Sequence, residues 1–155
     1  MQYDPIKRSL GNVFNKSPFL RKTFYSLLDL LLLRAWHVHK ELKVWSRRTP
    51  SENSGLRQSA SILDAGAGFG QYSYWMWKYF KNCNILAVDV KEEQVADCNN
   101  FFKQIGAVDE VKFIVDDLTV FKKDNLYDLV VCVDVMEHIL EDVLVFKNFL
   151  ASMKK

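Results

Sequence analysis

An α/β fold with a doubly wound parallel sheet is what this chain predicts, and three observations predict it. From residue 60 onward, short apolar runs alternate with helical segments, and elements in that alternation build parallel sheets through right-handed crossovers. The first run, Ser61–Ala65, opens into Gly66-Ala67-Gly68-Phe69-Gly70. Glycine is used where a Cβ would block a turn or hold the backbone away from a bound molecule. Finally, the later runs end on acids, at Asp89, at Asp116-Asp117 and at Asp134. Ligands of doubly wound sheets sit beyond the strand C-termini, where those acids fall.

The elements follow in order. Residues 1–18 are polar, with Pro5, Gly11 and Pro18, and read as an arm. A long helix is expected over 19–46, with Ser17 as N-cap and Pro18 at its first position. Phe24, Leu27, Leu28, Leu31 and Ala35 recur at helical spacing. Thr49–Gly55 has linker composition, so the sequence divides into a helical extension over 1–58 and an α/β domain over 59–155. In that domain, strands are expected at Ser61–Ala65, Asn84–Asp89, Val111–Val115 and Tyr127–Val133. Helices are expected at Gly70–Tyr79, Lys91–Gly106 and Glu141–Met153. The last strand is a continuous apolar run, of the kind buried on both faces.

Composition narrows the function classes. The 155 residues are 49% hydrophobic and 26% charged, which suits one globular domain with a real core. Cys83, Cys98 and Cys132 form no C-x-x-C, which argues against zinc and against a disulfide framework. With no basic n-region leading an apolar stretch, the opening residues predict a cytoplasmic chain. The apolar run Leu27–Leu33 is interrupted by Asp29 and falls far short of the roughly 20 residues a bilayer span needs. Charge is unevenly shared: residues 1–60 carry +7 and residues 61–155 carry −5, and all six arginines lie in the first part. Such asymmetry points to an anionic partner for the first part. A membrane surface or a partner helix fits its apolar face and basic ends. Single-stranded nucleic acid fits less well, because the aromatics its readers interleave on strands are missing.

The glycine loop has the spacing Asp64-x-Gly66-x-Gly68-x-Gly70. A dinucleotide fingerprint needs G-x-G-x-x-G/A, and Gln71 stands at its sixth position. Asp89 lies 19 residues after Gly70, placed to accept hydrogen bonds from both hydroxyls of a ribose. Asp116-Asp117-Leu118 follows the third strand, and Asp134-Val135-Met136-Glu137-His138 follows the fourth. Over residues 60–155, this series of strand ends resembles the class I S-adenosylmethionine (SAM) dependent methyltransferases, which carry the glycine loop and the three acids in this order and at these intervals. Each acid taken alone also reads as a turn former or helix cap.

The resemblance implies a Rossmann-like sheet with strand order 3-2-1-4, SAM as cofactor, S-adenosylhomocysteine (SAH) as product, and a small-molecule or lipid-like methyl acceptor. It implies that Ala65, Gly66, Gly68 and Gly70 cradle the methionine portion. Asp64 would orient the loop by hydrogen bonding its backbone N–H groups and reach the ligand's ammonium through water. Asp89, with Val90 beside it, would hold the ribose. Asp117, with Asp116 its rival, would accept from the adenine amino group, and Leu118 would meet the ring. Asp134 would lie near the amino-acid end. His138 is a candidate general base, and Asp134, Glu137 and His138 match by position a metal site proposed for quinone O-methyltransferases. The opposing reading is that Glu137 and His138 only begin a helix; no metal is expected. Tyr72 or Trp75 would line a substrate mouth, and the N-terminal helix would serve as a lid. The family's sheet has seven strands where four are visible here, so the sequence reads as a truncated chain or one completed by another copy or subunit. The alternatives are a SAM-binding module without catalysis, a nicotinamide-dependent reductase, and a methyltransferase of RNA or protein.

Overall fold

In the computed structural model the described residues are 17–48, 60–80 and 82–155. The N-terminal arm through residue 16, the linker 49–55 and the domain boundary at 58 and 59 lie outside them. The chain divides into two compact units, residues 1–55 and 56–155.

The first unit holds α1 (Pro18–Leu31) and α2 (Leu33–Arg48). Ser17 caps α1 as its sequence predicts, its Oγ accepting from Leu20 N–H at 3.2 Å. The single helix expected over 19–46 is instead two. Leu32 leaves helical space at φ −102°, ψ 105°, while its N–H still bonds Leu28 O and its carbonyl accepts from Ala35 N–H. No proline or glycine marks this break; the turn is stabilised by packing of the two helices. In one straight helix, Asp29 and His39 would lie roughly 15 Å apart along the axis, yet His39 Nε2 is 3.7 Å from Asp29 Oδ1. Burial lowers the His39 pKa, with Asp29 opposing and Lys43 assisting, so this contact joins a carboxylate to a neutral ring near pH 7. Arg21 is buried and donates from Nε to Tyr25 Oη at 2.8 Å, so this arginine of the basic first part is interior.

The second unit is a four-stranded parallel sheet, β3-β2-β1-β4, the order expected. Its elements run β1 (Ala60–Ala65), α3 (Gln71–Tyr79), β2 (Cys83–Asp89), α4 (Glu92–Gln104), β3 (Val111–Val115), β4 (Leu129–Cys132) and α5 (Asp142–Ser152), with a 3-10 turn at Met136–His138. Strand side chains alternate between faces. Leu63, Ala65 and Val88 join Leu118, Phe121, Val145 and Phe149 in one core cluster, while Ile62 and Asp64 face the other way, toward α3. The register pairs Ala65 with Val88 and with Cys132, and Asp89 with Val115. The loops that follow all four strands therefore leave from one edge.

β4 is shorter than the run Tyr127–Val133 that its apolar pattern suggests. Asp128 interrupts the start: its carboxylate accepts the Ser61 N–H at 2.7 Å and its own N–H donates to Ser61 O. Tyr127 is held apart in a parallel bridge to Met153, with Lys154 N–H donating to Tyr127 O. On α5, Val143, Phe146 and Leu150 are exposed. Among the described residues no helix is long and apolar enough to cross a membrane.

Candidate donor-binding site at the strand tips

Gly66, Gly68 and Gly70 all have positive φ, at 74°, 53° and 77°. The loop turns back over β2: Gly66 N–H and Ala67 N–H both donate to Val88 O, at 2.8 and 3.0 Å, and Gly70 N–H closes onto Ala67 O. Ala65, fully buried, ends β1 beneath it. Gly70 is the N-cap of α3 and has no side chain to offer; the Asp64 carboxylate takes the backbone N–H of Ser73 in the helix's first turn.

Asp89 joins this loop to the second strand tip. Its Oδ2 accepts the Gly68 N–H at 2.8 Å and its Oδ1 accepts the Lys91 N–H at 3.0 Å. An ionised carboxylate has about four lone-pair sites, so one further hydrogen bond remains for each oxygen. That pair of acceptors suits a vicinal diol. Over Gly68 a Cβ would meet no atom within 4 Å, so the loop leaves open space beside those oxygens. Val90 is exposed next to them. The third tip abuts the second, because Asp116 N–H donates to Asp89 O at 3.2 Å.

Asp116 and Asp117 differ in their hydrogen-bond partners. The Asp116 carboxylate folds onto the Asp117 N–H at 2.8 Å. Asp117 Oδ1 takes both the N–H and the hydroxyl of Thr119 at 2.8 Å, which lowers its pKa and leaves Oδ2 toward solvent. Leu118 is buried in the core. Asn148 of α5, which sequence reading overlooked, holds this loop by donating from Nδ2 to Leu118 O and Thr119 O, at 3.1 and 3.0 Å. Its signal was available: Asn148 lies on the same helical stripe as Val145, Phe149 and Ser152, and a polar side chain on an apolar stripe needs a partner.

At the fourth tip Asp134 is exposed and takes a left-handed φ of 54°. Val135 follows and packs its methyl groups directly over Gly66, which joins this tip to the glycine loop. His138 stands on the exposed 3-10 turn rather than at the start of a helix. Its backbone N–H donates to Val135 O, and among the described residues no side chain orients its ring. Nor, among the described residues, do three or more His, Cys, Asp or Glu side chains gather to hold a metal. Trp75 stacks at 4.7 Å on Tyr79, itself exposed, and meets Phe80 edge-on.

Asp64 corrects the sequence expectation most sharply. It does not hold the loop's own backbone. Its Oδ2 accepts the Ser73 hydroxyl at 2.6 Å, in the first turn of α3, and Ser73 also offers a backbone N–H. Asp64 is 2% exposed, and burial pushes its pKa up to about 6 against the lowering effect of Ser73, with Asp89 adding to the rise. The folded chain therefore binds this proton more tightly than the unfolded chain does. The stability this contributes is complete below the usual carboxylate range and is lost as pH rises through about 6. Denaturant unfolding should show a loss of about 3 kcal/mol from this group between acidic and neutral pH. Asp64→Asn should flatten that slope, and an unchanged slope would remove the assignment.

Two concavities elsewhere are shallow. One, of about 370 Å³, lies along α4 and β3 at Asn99, Lys103 and Phe113; the other, of about 260 Å³, lies by Asn84, Glu110 and Tyr127. Neither touches the glycine loop.

Known proteins agree with this architecture. The profile of the methyltransferase domain family matches residues 62–155. A malonyl-[acyl-carrier protein] O-methyltransferase 2 from Ilyobacter polytropus is 30% identical over 70 residues, covering 45% of this chain and 26% of that protein. The chain thus spans about a quarter of the length of the curated relative it matches. A SAM dependent methyltransferase from Aquifex aeolicus superposes with a TM-score of 0.63 at 20% identity, over 89% of this chain and 68% of that one. Coclaurine N-methyltransferase bound to N-methylheliamine and SAH gives 0.60 at 20% identity, over 75% and 32%. The two superpositions are likenesses of fold. With the glycine loop, the sheet order and the family profile all in agreement, the chain belongs to the class I SAM-dependent methyltransferase family.

Proposed function

We propose that the strand tips of this chain bind SAM, and that the chain serves methyl transfer to a small-molecule or lipid-like acceptor. The hydrogen bond from Gly68 N–H to Asp89 carries the reading, because it holds glycine loop and carboxylate together beside open space. Ala65, Gly66, Gly68 and Gly70 would line the methionine portion, with Asp134 near its amino-acid end and Asp64 reaching its ammonium through water. Asp89 would take the ribose, with Val90 as an apolar neighbour. Asp117 Oδ2 and the backbone at Leu118 would meet the adenine. When bound, the sulfonium supplies an electrophilic methyl group. The chain's own contribution is then alignment of donor and acceptor, which reaches roughly 7–11 kcal/mol in the best intramolecular cases. His138 is the candidate base for an acceptor that must lose a proton, working from an exposed turn beside the fourth tip.

The remaining expectations belong to the same proposal. The chain works in the cytoplasm. Leu30, Leu31 and Leu33, all exposed, support a membrane-surface or partner-protein contact for the helical extension over 1–58. Val143, Phe146 and Leu150 support packing of α5 against further protein, a second copy included. A second reading, donor binding without transfer by these residues alone, draws on the chain's quarter share of its curated relative.

Titration calorimetry with SAM and SAH tests the donor site: saturable binding of both is expected, and NADH should give no heat. Binding of NADH in place of SAH would overturn the assignment. Transfer of a labelled methyl group from SAM into a small-molecule extract separates the enzyme from the binding module.

A further inference from the structure

We propose that Ser73 is a positioning residue, which keeps the buried Asp64 carboxylate ionised and so sets the pH range over which the donor's cationic amino-acid end is held. The inference rests on the donor-site reading above and adds a residue to it.

Three observations carry it. First, Ser73 is fully buried on α3, where a hydroxyl needs a partner, and that partner is Asp64 Oδ2 at 2.6 Å, a short charge-assisted bond. Second, Asp64 stands two residues before Gly66, on the strand that feeds the glycine loop. The residue therefore lies near the root of the loop, and its carboxylate is withdrawn from solvent. Third, the groups acting on that charge from neighbouring strands do not neutralise it. Asp89, at the end of β2, repels it. Cys132, at the end of β4, is a thiol pushed up to about 11 by burial and then by Asp64 and Glu137, so it is uncharged near neutral pH. The donors on Ser73 are what favour the ionised form against burial and Asp89. A ligand that brings an ammonium to this root gains from the negative charge and loses the gain when Asp64 is protonated.

The sign follows. Donor affinity rises with pH as Asp64 ionises, with its limb near pH 6. Removing the Ser73 hydroxyl removes a hydrogen bond to the charged form, so the limb moves to higher pH. Nothing in a purely structural role for Ser73 would move it.

Calorimetry with SAH on the whole chain, from about pH 5 to about pH 8, reads this directly. Ser73→Ala should weaken SAH binding several-fold near pH 6, and the deficit should fade by about pH 8. Ser73→Thr should restore the wild-type limb, and Asp64→Asn should leave affinity flat across the range. A carbon-detected NMR titration of the Asp64 carboxyl without ligand should show the same upward displacement in Ser73→Ala. An equal loss at every pH, or an Asp64 resonance indifferent to Ser73, overturns the role of Ser73 while leaving the donor site intact. If Ser73→Ala does not fold, a wild-type limb near pH 6 that Asp64→Asn abolishes supports the role of Asp64, and Ser73→Thr tests the hydroxyl; a limb displaced in that variant overturns the proposal. A wild-type chain that binds no SAH at any pH overturns the donor site, and this inference with it.

Discussion

Gly66→Ala is expected to destabilise the α/β unit and abolish donor binding, whereas Gly68→Ala abolishes donor binding and leaves the fold standing. At Gly66, a Cβ would overlap Val135 Cγ2 and come within 2.9 Å of Val135 Cγ1, at a backbone φ of +74°. Valine is stiff at χ1, and Val135 itself is packed on the core cluster, so neither side can give way cheaply. Overpacking costs about 1–3 kcal/mol and a left-handed alanine about 1–2 kcal/mol more. At Gly68, φ is +53° and the added Cβ meets nothing within 4 Å, so only the backbone cost of about 1–2 kcal/mol applies. That Cβ would instead stand in the space left for the ligand. Denaturant unfolding and SAH calorimetry on the two variants check the contrast. Equal binding by Gly68→Ala and the wild type would place the donor elsewhere.

Asp89→Ala should lower SAH affinity on the order of 100-fold or more, since hydrogen bonds to a charged partner contribute about 1.5–3 kcal/mol each and two ribose hydroxyls are at stake. The same change strands the Gly68 and Lys91 N–H groups, so the loop loses its anchor as well as the ligand its acceptor. Asp89→Asn keeps one acceptor oxygen and should fall between the two. The affinity of that variant distinguishes a direct acceptor from a loop anchor. If Asn restores the thermal stability of the wild type but not its affinity, the carboxylate touches the ligand. If affinity simply tracks stability across the series, Asp89 acts only by holding Gly68.

Much of this was legible in the residues. The alternation after residue 60, the glycine spacing and the acids at the strand ends located four strands within two residues of their bounds, and the family resemblance implied their observed order. The largest difference, two residues, was at the start of β4, where Asp128 replaces a backbone rung with its carboxylate. These features are local or periodic, and strand period, turn chemistry and apolar runs are written residue by residue. The misses share one property: each depends on a partner that stands on a different secondary-structure element. Leu32 breaks a helix that every neighbouring leucine would continue, because α1 and α2 pack through contacts such as Asp29 with His39. Asp64 bonds Ser73 in place of the loop backbone, a choice set by which face of β1 carries it and by how α3 lies on that face.

The sequence alone therefore established which residues stand at the strand tips, their order, and the family they signal. Only the tertiary structure decided what each tip touches: Asp89 on Gly68, Val135 over Gly66, Asn148 beneath the Asp117 loop, and Asp64 buried against Ser73. Propensity and periodicity act between near neighbours along the chain. Burial and hydrogen-bond partnership across the sheet are properties of the packed whole, and they set both the ionisation of Asp64 and the room above Gly68.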